Sequence, residues 1–463
     1  MGYFRIMMRI TFGLLLFSVA CSDSSKRSDM SAWAALAEGD AVGDSQWLDL
    51  PVDEDKIRLS GQLFYNDLRK QGSFNRRYDA NGVLGERCPY GNEDCDLKNY
   101  LAAMDASVEI VSLDPSFGCS NPMAVGSIRP NAKFEFYFSP DMDCLSSSDL
   151  SLGIRFLLRR CDDIFCGAME ATNQETWALW HPEARPEKPL TVSLGEGFGL
   201  AGALFQPYGV SDGESDLYAT AANHFATLID AVQSWHVDAG IPFEGERYGE
   251  VRVRMPAGYE TRGGTQSTTE VHLPDRDSGW IKGNLAAHEY GHVLQLRAWG
   301  GAYDWDGPTH PEWSGMSQAH PRIAFKEGFA NFVMRVGLET NHCDGGFDDN
   351  DNSLLAGDPE TGQDYPRNVT KFLCDWLDET DDDDLSLIGH GDSISSSPFE
   401  VWSELVRMKS APEAYGGDTD EGLGVCDFIS SHLAHIDDPI QLMLEESAIK
   451  AAARNNKIDC GWP

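Results

Sequence analysis

The sequence predicts an α+β protein in which the strands come first and the helices follow. Between residues 53 and 200 apolar residues alternate with polar ones in several short stretches, the spacing of half-buried strands. After residue 201 apolar residues recur every three or four positions, which is typical of amphipathic helices. One of those helices carries two histidines and a glutamate in a pattern that indicates a metal site. We therefore predict two folded domains, residues 53–200 and 201–463.

Residues 1–21 have the pattern of an export signal. Two arginines precede an apolar run from Ile10 to Ala20, which is too short to span a bilayer. The run leads into Phe-Ser-Val-Ala-Cys at residues 17–21, which resembles the lipobox of bacterial lipoproteins. That resemblance implies that Cys21 is lipidated and that the protein is exported. Ser22 after the cysteine implies an outer-membrane anchor, on the periplasmic or the cell-surface side.

The cysteine count is consistent with an exported protein. The chain has 11 cysteines, and setting Cys21 aside leaves an even number, which in an exported chain predicts a disulfide framework. A cysteine zinc site is not favoured, because no two cysteines have Cys-x-x-Cys spacing. The sequence leaves the connectivity open, but the order along the chain suggests local pairs: Cys88–Cys95, Cys119–Cys144, Cys161–Cys166, Cys343–Cys374 and Cys426–Cys460.

The chain is strongly acidic, with a formal net charge of −38. Such a charge repels phosphate backbones and anionic lipid head groups. We therefore expect no nucleic-acid partner, and we expect the protein to contact a membrane only through its lipid anchor. Residues 348–352 place oxygen ligands at alternate positions, as calcium loops do, but lack the glycine and final glutamate of an EF-hand. We interpret this cluster and the acidic run at 381–384 as solvated loops, with a structural Ca²⁺ site as the alternative.

Residues 22–52 are rich in Ser, Asp, Ala and Gly and predict a flexible tether. The domain that follows, 53–200, is predicted to be a β-sandwich of immunoglobulin or transthyretin type, with no catalytic residues of its own. Its predicted strands are the period-two stretches at 57–65, 108–110, 134–138 and 190–194.

The sequence His288-Glu289-Tyr290-Gly291-His292 carries the chemistry of the second domain. Asn284 before it is a suitable helix cap, and Gly300-Gly301 after it ends the helix. Four residues of helix turn through about 400°, so His288 and His292 lie on one face and can share one zinc ion. Glu289 points off that axis, where its carboxylate can reach a water molecule beside the metal.

The sequence after His292 distinguishes between two known patterns that supply a third zinc ligand. The extended pattern of the metzincins requires Gly and His at positions that here hold Gln295 and Ala298, so it is excluded. Residues 321–337 begin with proline, end with Gly337 and have helical spacing, which predicts a second helix. It contains Glu327-Gly328-Phe329-Ala330-Asn331.

Here the chain resembles the gluzincins, the thermolysin-like zinc peptidases, whose third ligand is a glutamate on a later helix. The resemblance implies a zincin-like catalytic domain with a mainly helical C-terminal part, and a zinc ion held by His288, His292 and Glu327. In the family an aspartate one turn after the glutamate orients the first histidine, and Asn331 occupies that place. Glu289 is the implied general base. A tyrosine or histidine donor is also implied, and the candidates are His342, Tyr365, His390 and Tyr415.

Other elements around the site follow from spacing. Residues 217–235 predict an amphipathic helix, residues 251–255 and 268–273 predict strands, and residues 372–377 and 398–406 predict helices. In gluzincins the strand before the zinc helix is an edge strand that binds the peptide, so residues 268–273 are assigned that role. His272 within it is interpreted as a strand side chain rather than a ligand.

The expected function is a zinc-dependent metallopeptidase that hydrolyses a peptide or protein substrate, with Glu289 as general base. The alternative is a non-catalytic surface lipoprotein that binds a partner and has a structural or degenerate zinc site. A closed structural site needs a fourth ligand, and His310 and His320 are the histidines between the two helices. The intact Glu289 argues against that alternative, because metal binding alone does not need it.

Overall fold

The structure is a computed structural model, and it describes residues 52–66, 77–78, 101–103, 106–113, 122–128, 133–140, 149–200, 202–205, 212–256, 264–265, 267–274, 284–301, 320–337, 364–377, 397–410 and 423–461. All of them belong to one compact unit, residues 51–463. Several predictions concern residues outside this set: the export signal with Cys21, the tether to residue 51, both acidic clusters, Cys88, Cys95, Cys119, Cys144, Cys343, His310, His342, His390 and Tyr415.

The described strands, in chain order, are β1 (Ile57–Asn66), β2 (Arg77–Tyr78), β3 (Leu101–Ala103), β4 (Ser107–Ser112), β5 (Ala124–Ser127), β6 (Lys133–Phe138), β7 (Asp149–Leu157), β8 (Arg159–Cys161), β9 (Cys166–Glu170), β10 (Ala178–Trp180), β11 (Leu190–Ser193), β12 (Gly197–Gly199), β13 (Ala203–Leu204), β14 (Val251–Arg254), β15 (Gly264–Thr265) and β16 (Glu270–His272). The described helices are α1 (Asp212–Val232), α2 (Gly245–Tyr248), α3 (Asn284–Ala298), α4 (Pro321–Gly337), α5 (Pro366–Asp375), α6 (Pro398–Ser410), α7 (Val425–Ala434) and α8 (Pro439–Asn455), with a π-helical segment at Gln233–Asp238 after α1. The coarse prediction of a mixed α+β fold is confirmed.

Two sheets occupy the N-terminal part of the described chain. In the first, β1 pairs antiparallel with β6 and β3 and parallel with β12 and β13. In the second, β7 pairs antiparallel with β4, β10 and β11. Burial alternates along β4 and β6, as the period-two pattern predicts. Phe134 on β6 meets Phe156 on β7 with ring centroids 5.5 Å apart, so the two sheets are in contact through their side chains.

The third sheet has the strand order β15-β16-β14-β9-β8. Strands β9, β14 and β16 are parallel, whereas β8 and β15 are antiparallel to their neighbours. Because β8 and β9 come from residues 159–170, this sheet draws strands from both sides of residue 200. One sheet therefore contains strands from both sides of the predicted domain boundary. The division into two domains stays a prediction.

The edge of the third sheet corrects one expectation. The sequence assigned residues 268–273 to an edge strand, but β16 lies one strand further in and β15 forms the described edge. The reason is that β15 contains only Gly264 and Thr265. A two-residue strand has no apolar alternation, so its sequence has no signal that periodicity can detect.

The predicted helix boundaries around the motif agree with the structure. Helix α3 starts at Asn284, and Gly300 and Gly301 follow it with φ angles of 77° and 99°. These angles suit glycine, which has no side chain to clash, so the chain can turn away there. Helix α4 spans the predicted residues 321–337. No helix in the described ranges is long and apolar enough to cross a bilayer.

Two of the predicted disulfides are present. Cys161–Cys166 closes the turn between β8 and β9, and Cys426–Cys460 ties the start of α7 to the segment after α8. Cys374 is also disulfide-bonded, and its predicted partner, Cys343, lies outside the described residues. The pairing of Cys374 with Cys343 stays a prediction.

Candidate metal centre

Helices α3 and α4 approach each other closely where the sequence motifs lie. A Cβ atom added to Gly291 on α3 would lie 2.7 Å from the Cα of Ala330 on α4. One added to Gly328 on α4 would lie 2.7 Å from the Cβ of Val369 on α5. Real Cβ atoms do not tolerate such distances, so small residues at these positions allow the three helices to pack this tightly. The contact places one turn of α3 directly opposite one turn of α4.

Three side chains from the two helices converge on one point; we call His288, His292 and Glu327 the ligand cluster. The Nε2 atom of His292 lies 3.0 Å from Oε2 of Glu327, and the Nε2 atom of His288 lies 3.3 Å from the same oxygen. The donor atoms of all three residues lie within 4.8 Å of one another. Within the described part of the chain, this is the group of His, Cys, Asp and Glu side chains that is suited to hold a metal ion. Sequence reasoning named all three residues.

The protonation states in the cluster follow from burial and proximity. Burial alone would raise the pKa of Glu327, but the adjacent histidines hold it well below its usual range. Burial lowers the pKa of His292. For His288 burial acts in the same direction, but the hydrogen bond with Glu327 and the charge of Glu289 outweigh it, so its pKa is raised. A carboxylate and neutral imidazoles are the forms that bind a metal ion, so metal binding competes with protonation of the two histidines.

Asn331 lies one helical turn after Glu327 and reaches back to α3. Its Oδ1 atom is 2.9 Å from Nδ1 of His288. An amide oxygen can only accept, so Nδ1 of His288 carries the hydrogen. In neutral His288 the lone pair is then on Nε2, the nitrogen that faces Glu327. Asn331 thus sets the tautomer that a metal ligand at this position needs.

The carboxylate of Glu289 lies beside the cluster and contacts the edge of the third sheet. Glu289 is only 4% exposed. The hydroxyl of Thr265 on β15 lies 2.8 Å from Oε2 of Glu289 and 2.8 Å from the backbone oxygen of the same residue. This contact joins the candidate general base to a strand 24 residues earlier in the chain. The sequence contains no signal for it.

Buried polar contacts hold the opposite side of α3. The hydroxyl of Tyr290 bonds with Nε2 of His236 in the π-helical segment, and Nδ1 of His236 lies 2.6 Å from the backbone oxygen of Ile241. Burial lowers the pKa of His236 to about 4, so this histidine is neutral at pH 7. Because Nδ1 donates to a carbonyl, Nε2 of His236 accepts from Tyr290. The contact fixes the rotation of α3, and hence the direction in which its two ligands point.

Arg297 secures the C-terminal end of α3. Its guanidinium donates to three backbone oxygens, those of Phe243 at 2.6 Å, Thr268 at 3.0 Å and Gly249 at 3.2 Å. The same group lies over the ring of Phe243, 4.4 Å from its centroid. A planar group with several fixed N–H donors suits this role, and it ties the helix to the loops that flank β14 and β16. Sequence reasoning did not predict this contact.

Other residues that the sequence singled out lie apart from the cluster. His272 lies on β16, with Nε2 2.8 Å from Glu270, as expected of a strand side chain. His320 precedes α4 and is not part of the ligand cluster. Tyr365 precedes α5, and among the described residues no hydrogen bond links its ring to the cluster. Of the four candidate donors, it is the one that the structure describes.

No protein-family model, curated protein or solved structure matches this chain. The chemistry of the site therefore has to be argued from the geometry of its own residues. That geometry comprises three converging donors from two helices, two of them buried, together with an adjacent carboxylate and a histidine whose tautomer is set by an amide.

Proposed function

We propose that this chain is a zinc-dependent metallopeptidase of the gluzincin type, with the helical region and the third sheet forming a zincin-like catalytic domain. The observation that supports this most is the convergence of both Nε2 atoms on one oxygen of Glu327, at 3.0 Å and 3.3 Å. The proposal extends to the N-terminal sheets, which we interpret as an accessory β-sandwich, since Phe134 of one sheet packs against Phe156 of the other.

The donor set suits zinc. Zinc is bound tetrahedrally by imidazole nitrogens and carboxylate oxygens at about 2.0–2.2 Å, so two ligand atoms of one zinc ion are about 3.3 Å apart. The distances from Glu327 to the two histidines agree with that spacing. Two histidines and one glutamate are also the ligand set of open catalytic sites such as that of thermolysin. Zinc held there would supply a Lewis acid that lowers the pKa of a water molecule and polarises a carbonyl group.

The protein's own residues would carry the proton transfers. Glu289 takes a proton from the attacking water as the water oxygen bonds to the scissile carbonyl carbon. As the carbon–nitrogen bond breaks, Glu289 returns that proton to the departing amine. The carboxylate suits this role because it is buried beside the cluster without being one of the three converging ligands. Asn331 keeps the lone pair of His288 directed toward the cluster throughout.

An extended peptide is the proposed substrate. Strand β15 is the described edge of the third sheet, and its Thr265 contacts Glu289. A peptide that added to this edge by main-chain hydrogen bonds would place its backbone close to the proposed base.

We also propose, from the sequence of residues 1–21, that the protein is exported and anchored to the outer membrane through lipid on Cys21.

The test is the Glu289→Gln variant of the full chain loaded with zinc. The substitution keeps the size of the side chain but removes the base. We expect zinc content to be unchanged and cleavage of a mixed peptide library to fall by about 10²–10⁴-fold. Glu270→Gln is a matched control, because Glu270 is a nearby carboxylate that pairs with His272 and Arg254 instead.

Equal cleavage by the parent and Glu289→Gln would contradict the peptidase proposal. Zinc retention without any cleavage by the parent would favour the alternative, a surface lipoprotein whose metal holds the structure together. In that case a fourth protein ligand is required, and removing His320 or His310 would lower zinc affinity. Zinc affinity that is unaffected by either substitution would exclude those two residues as that ligand.

A further inference from the structure

We propose that Thr265 is a positioning residue that holds one oxygen of Glu289, so that the other oxygen acts as the base. The inference rests on the proposed function and goes beyond it, because it concerns a residue outside both helices. Three observations support it: the two distances from the hydroxyl, the single hydrogen of a hydroxyl group, and the way the third sheet fixes β15.

The hydroxyl of Thr265 has two acceptors within reach but only one hydrogen to donate. Those acceptors are Oε2 and the backbone oxygen of Glu289, each at 2.8 Å. The backbone oxygen lies inside α3, where helical geometry already provides the amide four residues later as its donor. An ionised carboxylate oxygen is the stronger acceptor of the two. The hydrogen of Thr265 is therefore directed to Oε2.

This bond makes the two oxygens of the carboxylate different. Oε2 is committed to Thr265, whereas no hydrogen bond of the described residues involves Oε1. A base needs a lone pair directed at the proton it removes, within about 2.6–3.2 Å. The structure thus assigns Oε1 as the atom that accepts the proton and Oε2 as the atom that anchors the side chain.

Thr265 is itself held by the backbone of the sheet. It pairs with Val271 on β16, and Val271 is buried. A threonine side chain has few favourable χ1 positions, since two heavy atoms branch from its Cβ. The position of the hydroxyl is therefore set by the β15–β16 ladder. A glutamate side chain, by contrast, has several freely rotating bonds and needs such a contact to stay in one orientation.

The expected consequence is a loss of rate without a loss of binding. A misplacement of about 1 Å at a reacting group can cost about 10²-fold in rate. Thr265→Val has nearly the same shape but no hydroxyl, and we expect kcat to fall about 10–100-fold while KM and zinc content stay within twofold of the parent. Thr265→Ser keeps the hydroxyl and is expected to recover most of the rate. Thr265→Ala is a second variant without the hydroxyl and should behave as Thr265→Val does.

Thr172→Val is the matched control. Its hydroxyl also donates to a backbone oxygen, that of Pro256 at 2.9 Å, but it has no contact with Glu289. We expect this variant to cleave as the parent does. Crystal structures of the parent and Thr265→Val add a readout that does not depend on activity. The carboxylate of Glu289 should bond Thr265 in the parent and adopt a different or spread orientation in the variant.

The outcomes separate this inference from the proposed function. If Glu289→Gln is inactive and Thr265→Val cleaves at the parental rate, the peptidase proposal stands and the role of Thr265 is refuted. A loss of rate in Thr265→Ser as large as in Thr265→Val would also refute it, because the hydroxyl would then not be the relevant group. If Glu289→Gln cleaves at the parental rate, both proposals fail together.

Discussion

Two clusters in the helical part of this protein contain the same residue types but use them differently. In the ligand cluster, the Nε2 atoms of His288 and His292 both face one oxygen of Glu327. In a second group, which we call the C-terminal cluster, His432 lies between two glutamates. Its Nε2 is 2.8 Å from Glu445 on α8 and its Nδ1 is 3.8 Å from Glu404 on α6.

The difference lies in how the histidine nitrogens are shared. Each nitrogen of His432 faces its own carboxylate, and Ser431 and Arg407 bond Glu404 as well. A protonated imidazole satisfies such an arrangement, because it donates from both sides. In the ligand cluster the Nε2 atoms of two histidines face the same carboxylate oxygen, so one cation placed there could contact donor atoms of all three residues. One cluster is therefore suited to a metal ion and the other to joining three helices by charge.

The largest expected effect tests whether the two clusters differ in metal binding. Glu327→Gln removes an anionic ligand, so zinc affinity and peptide cleavage should fall together, by more than the roughly 10–100-fold typical of losing an outer hydrogen-bond partner. Glu404→Gln is the control, because Glu404 is also a buried glutamate that faces a histidine but is not part of the ligand cluster. It should leave zinc affinity unchanged. Titration of both metal-free variants with zinc provides the measurement.

An intermediate effect is expected at Asn331. Asn331→Ala removes the acceptor from Nδ1 of His288 and leaves all three ligands in place. We expect zinc affinity or activity to fall by about 10–100-fold without being abolished. Asn331→Asp restores the acceptor and adds a negative charge, so it should bind zinc at least as tightly as the parent. An Asn331→Ala protein with parental zinc affinity would show that the 2.9 Å contact does not tune this ligand.

The smallest expected effect is a dependence of stability on pH at the C-terminal cluster. Burial lowers the pKa of His432, but its bonds with Glu404 and Glu445 outweigh burial and raise it. Burial raises the pKa of Glu404, and its bonds with His432 and Ser431 outweigh that and lower it. A raised histidine pKa contributes stability that is complete below about pH 6.5 and is lost as pH rises through the folded-state value. A lowered glutamate pKa contributes stability above about pH 4.5 that is lost as pH falls.

His432→Gln should therefore reduce the free energy of unfolding most between about pH 4.5 and 6.5 and much less at pH 9. The measurement is denaturant unfolding of the parent and the variant between about pH 4.5 and pH 9. The groups that face His432 are Glu404 and Glu445, with Arg407 bonded to Glu404. A difference between the two proteins that did not change with pH would mean that His432 acts through packing, for instance against the ring of Trp376.

The two helices of the site were predictable because their signals are local, whereas the choice of Glu327 on the second helix came from the resemblance to gluzincins. His288 and His292 are one helical turn apart, and Glu327 lies on a helix whose start and end have clear residue signals. The predicted strands with alternating burial also agree with the structure, since period two is visible over five or six residues. Helices α7 and α8 were not predicted. Ile440, Met443 and Leu444 at the start of α8 are exposed, so this helix has an apolar face turned to solvent. Amphipathic spacing identifies a helix by the apolar face that it buries, so it did not predict α8.

The sequence by itself predicted the α+β class, the two motif helices with their boundaries, two disulfides and, through the resemblance to gluzincins, the three residues of the ligand cluster. The class, the helices and the spacing of His288 and His292 depend on residues close in sequence or on spacing along one element, whereas Cys426 and Cys460 are 34 positions apart. The tertiary structure decided which strand forms the edge of the third sheet, that strands from residues 159–170 join it, and that Thr265, His236 and Arg297 hold α3 in place. The side-chain contacts of Thr265, His236 and Arg297 join residues 24 to 54 positions apart. A hydroxyl or a guanidinium has the same sequence signature whether it faces solvent or a buried group, so only the folded chain distinguishes the two.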